Sequence, residues 1–334
     1  MRFEFYTDAL ENIPKLSVDG TVDNAIHFSH WQGNATPAEL KADTSTEIAL
    51  NLVASPNRAA LTNGIELVTN NHFDTDGVMS VWTVLTGERA LEYRDLLIAA
   101  AEAGDFSEHS TDDGVRVSIA IQGSDQASPN NDDGSPFAQF ITGEAVDDDA
   151  RAYELVLPEI ERLLTNINDY EHLWREGWNN VAAAIESFER GKSSVTEHSG
   201  ISLVTLAPEL FDGTGFRPTK HAAPYTAISK FARGELFVIA IPTSGGWFYR
   251  LDYPYYSWAE TVVRPRIRRR DLSNVLQVLN GKESNRAGRW QNDNREMTSA
   301  VKFLDGSGTL AASHLNPDEV VSVLRTSDSL VAVP

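Results

Sequence analysis

The segment His72-x-Asp74-x-Asp76-Gly77 is the most chemically loaded part of the chain. Alternate residues of an extended segment point to the same side, so the imidazole and the two carboxylates can converge there. Gly77 then lets the backbone bend into a following helix. The chain has no cysteine, which excludes disulfides, thiolate nucleophiles and Cys-ligated zinc. Imidazole and carboxylate ligands without thiolate suit Mn²⁺, Fe²⁺ or Mg²⁺ better than zinc, and Mn²⁺ is the ion expected, with Mg²⁺ as the alternative. The segment therefore predicts a divalent-metal site at the end of a strand, held by His72, Asp74 and Asp76.

A second interpretation of the same segment needs no metal. Asp74 and Asp76 would cap the following helix, while His72 hydrogen-bonds a neighbouring strand. An EF-hand is a poor alternative, because position twelve counted from Asp74 is Leu85, where that loop requires a bidentate Glu. The metal interpretation is favoured because a histidine accompanies the two carboxylates.

Other side chains are candidates to complete such a site. Asp105 follows a predicted helix cap and is a candidate fourth metal ligand, with His109 and Asp125 as further candidates. His30 ends the preceding predicted strand, and sequential strands are often neighbours in a sheet. His30 would then border the same crevice, as a ligand or as a proton shuttle. The simpler alternatives are a solvated Asp105 and a hydrogen-bonded packing role for His30.

A dense basic run follows a group of aromatic residues in the second half of the chain. The arginines are Arg264, Arg266, Arg268, Arg269 and Arg270, and the aromatic residues are Tyr253, Tyr255, Tyr256 and Trp258. Guanidinium groups bind phosphates with paired donors and aromatic rings stack on bases. The run therefore predicts a site for an anionic substrate, with Arg264, Arg268 and Arg270 as the substrate-binding residues. The alternative is a basic edge strand that docks on the acidic first half.

The formal net charge of −20 is concentrated in the first half of the chain. Residues 1–150 contain 7 Lys and Arg against 26 Asp and Glu, a net charge of −19, whereas residues 151–334 contain 21 against 22. An acidic half repels phosphates unless cations intervene. No run of about 18 apolar residues is present to span a bilayer, and residues 1–20 lack the features of a secretory signal. We therefore expect a cytoplasmic protein without a membrane partner.

The elements that must position the candidate ligands begin with a strand at residues 25–30. A turn follows, and then a helix is expected from Thr36 to about Ala54. Thr36 can cap this helix, Pro37 suits its first position, and Glu39 completes a capping box. This segment predicts one β-turn-α unit ahead of the metal motif.

A second such unit surrounds the metal motif itself. The pattern predicts a strand at residues 64–70 and a buried helix at residues 78–85. A further helix at residues 88–103 is expected to end at Gly104, a residue suited to a left-handed cap. Asp105 would then begin a loop.

The length of 334 residues exceeds what one hydrophobic core usually organises, so two domains are expected. We predict an α/β protein with a metal-binding domain at residues 1–149, in which a mainly parallel sheet is flanked by helices. A helical linker at 150–192 and a smaller α+β substrate domain at 193–334 would follow. Residues 115–121 are either a strand or a short helix, and residues 123–149 are expected to be a surface loop.

The order strand-His-x-Asp-x-Asp-Gly-x-x-Ser-helix, with Ser80 in the last place, resembles the first motif of the DHH-type (RecJ-like) phosphoesterases. The chain is also similar to an uncharacterised bacterial family built on this motif. The resemblance implies an N-terminal metal domain, a helical linker and a smaller C-terminal substrate domain, and it carries over only His72, Asp74 and Asp76. The chain lacks the Asp-His-His triplet that names the family. A one-metal enzyme, a differently completed two-metal enzyme and an inactive descendant therefore all stay open.

The residues and the resemblance together predict a metal-dependent hydrolase of a phosphoester, with a nucleotide or a short oligonucleotide as substrate. The predicted catalytic residues are Asp74, Asp76 and His30, and the predicted metal ligands are His72, Asp74, Asp76 and Asp105. The expected partner is a small anionic substrate, with a short nucleic acid as the alternative, and an oligomer is left open. The alternative function is a non-catalytic regulatory protein that binds a metal or a nucleotide. No Gly-x-Ser-x-Gly elbow occurs, which disfavours a serine esterase.

Overall fold

The computed structural model of the chain describes residues 1–123, 134–211, 223–292 and 298–327. It confirms the α/β fold class, with a parallel sheet and helices followed by a mixed sheet. The chain forms two compact units. The first contains Met1–Asn180 and Trp258–Pro265, and the second contains Val181–Ser257 and Arg266–Pro334. Most of the segment predicted as a linker therefore belongs to the first unit.

The first unit contains a four-stranded sheet in the order β1-β4-β2-β3, in which all pairs are parallel. Its strands are β1 Arg2–Phe3, β2 Lys15–Val18, β3 Ile26–Phe28 and β4 Leu67–Thr69. The two inner strands, β2 and β4, are wholly buried, as is usual for parallel strands. Ser17 of β2 pairs with Thr69 of β4, so the residues that follow these strands leave the sheet at the same edge.

Helices accompany this sheet. Those of the first unit are α1 Ser45–Ala54, α2 Arg58–Leu61, α3 Thr75–Thr86, α4 Arg94–Phe106, α5 Asp112–Gln122, α6 Pro136–Thr142, α7 Asp149–Val156 and α8 Ile160–Thr165. Helices α1 and α3 contact the strands of the sheet. Helix α9 Glu171–Glu189 runs from the first unit into the second. Helix α3 is buried along almost its whole length, as its apolar sequence predicts. The undecided segment at residues 115–121 is helical and belongs to α5.

Helix α1 begins at Ser45, so the prediction that it begins at Thr36 was wrong. The hydroxyl of Thr36 donates to the backbone oxygen of Ser29 (2.8 Å) and accepts from the backbone N–H of the same residue (2.9 Å). The helix is instead capped by Thr44, whose side chain accepts from the N–H of Glu47 (3.1 Å). Both threonines begin a Thr-x-x-Glu pattern, and only the long-range contact of Thr36 decides between them.

Helix α4 continues past Gly104, so the prediction of a cap there was also wrong. Asp105 lies in its last turn, and the left-handed C-cap residue is Ser107, with φ +47°. A Cβ on Gly104 would lie 2.8 Å from the Cβ of Thr75. The glycine is therefore required by the close approach of α3 and α4. Asp105 is consequently held on a rigid helix rather than in a loop.

The second unit contains a six-stranded mixed sheet in the order β5-β6-β7-β8-β10-β9. Its strands are β5 Ser194–His198, β6 Ile201–Thr205, β7 Leu236–Thr243, β8 Gly246–Asp252, β9 Gly288–Asn292 and β10 Ser299–Asp305, and its remaining helices are α10 Ala223–Phe231, α11 Ser273–Lys282 and α12 Pro317–Ser327. Strands β6 and β7 are parallel, and the other pairs are antiparallel. A buried core that includes Leu251, Trp290 and Phe303 packs together with Leu279 of α11 and Leu324 of α12.

Two further expectations concern the surface and the membrane. Of the predicted surface loop at residues 123–149, residues 124–133 lie outside the described part of the chain, and Pro136–Thr142 form α6. Among the described residues, no helix combines the length and the apolar character needed to cross a membrane.

Candidate metal centre

The candidate site lies where three neighbouring strands of the first sheet end. Asp19 directly follows β2, and His30 lies two residues after β3. Asn70 directly follows β4, and His72 lies two residues further on. Because the strands are parallel, these residues leave the sheet at one edge, where open α/β sheets carry their ligand sites. Asp19 has a left-handed backbone with φ +62°, a conformation that Asp and Asn adopt more readily than most residues.

Four side chains form the first ligand group, namely Asp19, His30, Asp76 and Asp105, and their candidate ligand atoms all lie within 4.8 Å of one another. The Nε2 atom of His30 lies 3.6 Å from Asp19 Oδ1, 3.7 Å from Asp76 Oδ2 and 3.1 Å from Asp105 Oδ2. All four side chains are at least 95% buried. Three carboxyl groups buried this closely must be neutralised, either by protons or by positive charge among them.

The imidazole of His30 directs Nε2 at these carboxylates. Its Nδ1 lies 2.7 Å from the backbone oxygen of Asp43, which assigns the Nδ1 proton to that contact. Nε2 is buried and makes no hydrogen bond of acceptable geometry, although Asp105 Oδ2 lies 3.1 Å away. Once its second proton is displaced, an imidazole whose Nδ1–H is bound to a backbone carbonyl presents its Nε2 lone pair, as metal-ligating histidines do.

The second ligand group consists of Asp19, His72 and Asp74. The Nε2 atom of His72 lies 2.8 Å from Asp19 Oδ2 and 3.0 Å from Asp74 Oδ2. The side chains of His72 and Asp74 are 26% and 28% exposed, so this group is accessible to solvent whereas the first is not. Asp19 belongs to both groups, with Oδ1 towards His30 and Oδ2 towards His72.

The donor atoms of the two groups fit a divalent metal ion. His72 Nε2 makes its hydrogen bond with Asp74 Oδ2, and the buried Asp19 Oδ2 contacts the same nitrogen at 2.8 Å as an ion-pair partner without the geometry of a hydrogen bond. Asp19 Oδ2 and His30 Nε2 thus make no well-formed hydrogen bond, although buried polar atoms normally make one, and are held by ion-pair contacts within the cluster. Carboxylate oxygen and imidazole nitrogen are ligands of first-row divalent ions. The buried acidic and histidine side chains could therefore hold a metal ion.

Asp74 and Asp76 also cap helices, as the second interpretation of the motif expects in part. Asp74 accepts from the N–H of Gly77 (2.7 Å) at the start of α3. Asp76 instead caps α1, where its two oxygens accept from Ser45 N and Thr46 N, each at 2.7 Å. A carboxylate oxygen has two lone pairs, so capping leaves each group able to bind a metal as well.

Three members of the first group, His30, Asp76 and Asp105, hold protons more tightly than isolated side chains would. Burial by itself lowers the pKa of His30, but the contact with Asp105 and the charges of Asp76 and Asp19 outweigh burial and raise that pKa to about 10. Burial and the charge of Asp19 raise the pKa of Asp76 to about 7. Burial and the charge of Asp74 raise the pKa of Asp105 well above its usual value. A metal ion that binds here must therefore displace protons.

In the second group, the pKa of the shared carboxylate, Asp19, is lowered rather than raised. Burial works to lower the pKa of His72, but the charges of Asp74 and Asp19 raise it well above its usual value. Burial works to raise the pKa of Asp19, but the charge and contact of His72, with the charge of His30, lower it. Asp19 is therefore the carboxylate that stays ionised between the two groups.

Asn70 and Tyr153 support the turn that carries the second group. The Nδ2 of Asn70 donates to the hydroxyl of Tyr153 (2.9 Å), and its Oδ1 accepts from the N–H of Gly20 (3.0 Å). A Cβ on Gly77 would lie 2.4 Å from Asn70 Nδ2 and 2.6 Å from the Tyr153 hydroxyl. Gly77 lies within the first turn of α3, so it is required by this close approach rather than by the bend that the sequence suggests.

Asp19, the residue common to both groups, is absent from the residues predicted from the sequence. Its strand β2 is only four residues long and begins with Lys15, which hides the apolar pattern. Lys15 is buried because its Nζ donates to the backbone oxygens of Leu10 and Glu11, each at 3.0 Å. The sequence does contain one signal, an Asp-Gly pair directly after Leu-Ser-Val, the position at which α/β sheets present their site residues.

The other predicted residues near the motif are only partly brought together. Asp105 and His30 lie in the first ligand group. His109 instead lies 3.0 Å from Asp112, through its Nε2, and is in neither group. Asp125 lies outside the described residues.

Arg264 is surrounded by carboxylates of the first unit. Its Nη1 lies 2.8 Å from Asp43 Oδ2, and its Nη2 lies 2.6 Å from Glu102 Oε1 and 2.5 Å from Glu108 Oε2. These contacts use the donors that the sequence assigns to a phosphate. Arg264 therefore neutralises three carboxylates of the first unit, and its role in substrate binding stays a prediction.

Arg268 and Arg270 belong to the second unit. Arg268 is exposed, and the Nη2 of Arg270 lies 3.4 Å from Glu235 Oε2. Arg264 lies in the first unit instead. The three arginines predicted to bind substrate are therefore divided between the two units. Their role in substrate binding stays a prediction.

A model of a family of unknown function (DUF6687) matches residues 1–324 of the chain. Comparison with curated proteins gave no match, and comparison with solved structures gave none. The resemblance to DHH-type phosphoesterases therefore stays a prediction, and the chemistry must be argued from the site.

Proposed function

The chain belongs to the DUF6687 family, whose function is unknown, and we propose from its ligand geometry that it is a metal-dependent hydrolase of a phosphoester. The proposed substrate is a small anionic molecule, a nucleotide or a short oligonucleotide. The observation that carries this proposal is the position of one carboxylate, Asp19, in both ligand groups.

A shared carboxylate between two ligand groups favours a pair of ions over a single one. Asp19 offers Oδ1 to the group of His30 and Oδ2 to the group of His72. Asp76 and Asp105 would complete the first ion's ligands, and Asp74 those of the second. A pair of divalent ions, when bound, polarises a phosphoryl oxygen and lowers the pKa of a bound water, which is the chemistry of many phosphoesterases.

The charge of the first unit supports an anionic substrate only in the presence of ions. Residues 1–150 have a net charge of −19, which by itself repels phosphate. Bound divalent cations are commonly the largest local charges in a site and reverse this repulsion. The structure favours direct contact of the substrate anion with the ions, because the nearby Arg264 is engaged with Glu102 and Glu108.

Mn²⁺ is the proposed ion, with Mg²⁺ as the alternative. Each group combines imidazole nitrogen with carboxylate oxygen. Mg²⁺ prefers oxygen ligands and water, whereas Mn²⁺ accepts imidazole more readily. The lack of cysteine removes the thiolates that most favour zinc.

The exposure of the two groups suggests different roles. His72 and Asp74 are partly exposed, so we place the substrate on the side of the second group. His30 is proposed as a metal ligand rather than a proton shuttle, because its Nε2 is buried and faces carboxylates. A proton shuttle must come within hydrogen-bond reach of the substrate or of a water that contacts it.

Metal content and turnover, measured on the same preparation, test this proposal. Protein treated with EDTA and reloaded with Mn²⁺ should contain two ions per chain by mass spectrometry and should hydrolyse bis(p-nitrophenyl) phosphate or a dinucleotide. His72→Ala should lower the content to one ion and remove turnover, since the second ion loses its imidazole. His172→Ala, at an exposed position of the first unit, is the matched control and should change neither quantity.

Two results would contradict the proposal. Metal content that is unchanged in both His72→Ala and Asp19→Asn would place the ions elsewhere. Two ions per chain without turnover of phosphodiester, phosphomonoester or pyrophosphate substrates would reject the hydrolase. That outcome would favour the non-catalytic metal- or nucleotide-binding protein.

A further inference from the structure

Residues Trp258–Pro265, here called the strap, belong to the first unit although they are remote in sequence from its other residues. The backbone N–H of Glu260 donates to the backbone oxygen of His30 (2.7 Å). The side-chain Nε2 of Gln32 donates to the backbone oxygen of Trp258 (2.9 Å). The strap is therefore hydrogen-bonded to the loop that carries a ligand of the first group.

Asp43 joins the strap to the imidazole of His30. Its carboxylate accepts the backbone N–H groups of Val262, of Val263 (2.8 Å) and of Arg264 (2.9 Å). Its backbone oxygen accepts from His30 Nδ1 at 2.7 Å. One residue thus uses its side chain to hold the strap and its main chain to hold the imidazole.

Two aromatic rings restrict the imidazole further. The ring of Trp258, a strap residue, meets the ring of His30 edge-on, at 4.9 Å between centroids and 81° between planes. The ring of Phe106 lies 5.6 Å from it. The imidazole is fully buried, so it can reorient only if these rings move. The direction of Nε2 therefore depends on the strap being in place.

We propose that Asp43 is a positioning residue of the first ligand group, which keeps His30 Nε2 aimed at the metal-binding carboxylates by holding strap and imidazole together. The inference rests on the proposed metal-dependent function. Asp43 acts through His30 and is in neither ligand group. Partners that orient a metal-ligating imidazole typically change metal affinity about 10- to 100-fold when they are removed.

Mn²⁺ titrations in two backgrounds separate positioning from general destabilisation. In His72→Ala protein, which keeps the first group, adding Asp43→Asn should weaken Mn²⁺ binding about 10- to 100-fold. In His30→Ala protein, which keeps the second group, the same substitution should change Mn²⁺ affinity less than about twofold. Asp43 is proposed to act through His30, and this background lacks that imidazole. Asp95→Asn, at an exposed position of α4, is the control and should change neither affinity.

Equal weakening in both backgrounds would overturn the inference, because Asp43 would then act through general stability. Unchanged Mn²⁺ affinity on adding Asp43→Asn to His72→Ala protein would also overturn the inference. The proposed function would still stand in that case, provided that the wild-type protein binds Mn²⁺ and turns over substrate. Wild-type protein that binds no Mn²⁺ would overturn both.

A second strap variant covers the case in which Asp43→Asn fails to fold by circular dichroism. The carboxylate of Glu260 accepts from the backbone N–H of Gly33 (3.1 Å) and from Lys41 Nζ (3.0 Å). Glu260→Gln loosens this other end of the strap. It must weaken Mn²⁺ binding selectively in the His72→Ala background, and equal or absent weakening would overturn the inference.

Discussion

The Oδ2 atom of Asp19 lies 2.8 Å from the Nε2 atom of His72, although the two residues follow different strands. The other oxygen of the same carboxylate faces His30. The contact joins the ends of β2 and β4 in one site. Because Asp19 also faces His30, a change at Asp19 should affect both ligand groups.

Asp19→Asn should remove both ions, whereas His72→Ala should remove one. The substitution keeps the shape of the side chain but removes the shared charge, and Asn tolerates the left-handed backbone at φ +62°. Metal content per chain measures the effect, and circular dichroism shows whether the fold is kept. One ion retained by Asp19→Asn would mean that the carboxylate is not shared.

Mn²⁺ should bind more tightly as the pH rises from about 5.5 to 8. The pKa of Asp76 is raised from 3.8 to about 7, so the ion-free folded state keeps a proton that the unfolded chain has already lost. The stability from this proton is complete below pH 3.8 and is lost as the pH rises through about 7. Mn²⁺ replaces the proton, so its stabilising effect grows over the same range.

Thermal unfolding with EDTA and with Mn²⁺ checks this linkage. The difference in Tm between the two conditions should increase from pH 5.5 to pH 8. The proton on His30, whose pKa is about 10, must also be displaced, which continues the trend above pH 7. A Tm difference that is constant or falls with pH would contradict the assignment of Asp76 and His30 as ligands.

Arg264→Gln should destabilise the first unit rather than weaken substrate binding. The guanidinium neutralises Asp43, Glu102 and Glu108, and its loss leaves partly buried carboxylates facing one another. We expect a loss of about 2–4 kcal/mol in the free energy of unfolding. Urea denaturation measures this loss. Arg268→Gln, at an exposed position, is the matched control for stability and should unfold like wild type.

Gly77→Ala should disturb the metal centre through the residues behind it. The added Cβ would lie 2.4 Å from Asn70 Nδ2, so Asn70 and Tyr153 must move, at a cost of about 1–3 kcal/mol. We expect lower Tm and weaker Mn²⁺ binding. Gly281→Ala is the control, because a Cβ there meets no atom within 4 Å. Wild-type Mn²⁺ affinity in Gly77→Ala would show that the turn adapts without moving its ligands.

The local sequence was sufficient for the residues of one continuous turn. His72, Asp74 and Asp76 all lie near the end of one strand, as their spacing suggests, but the helical position of Asp76 places it in the first ligand group, whereas His72 and Asp74 belong to the second. The α/β class was likewise predictable, because apolar strands alternate with capped helices along the first half. For the same reason the buried helix after the motif was correctly expected.

Contacts between distant segments decided the rest. Thr36 and Thr44 begin the same Thr-x-x-Glu pattern, and α1 starts at the second because Ser29 engages the first. Arg264 belongs to a basic run in sequence but faces three carboxylates in space. Local propensity describes what a segment favours alone, whereas these outcomes depend on which partner the fold brings near.

Asp19 shows the limit most clearly. The sequence by itself determined a cysteine-free, acidic first half with a His-Asp-Asp turn after a strand. Only the tertiary structure decided that Asp19 from β2 and His30 from beyond β3 meet that turn, and that Asp19 is shared between two ligand groups. The physical reason is that a metal centre is defined by distances between side chains on separate strands, and strand order and register set those distances.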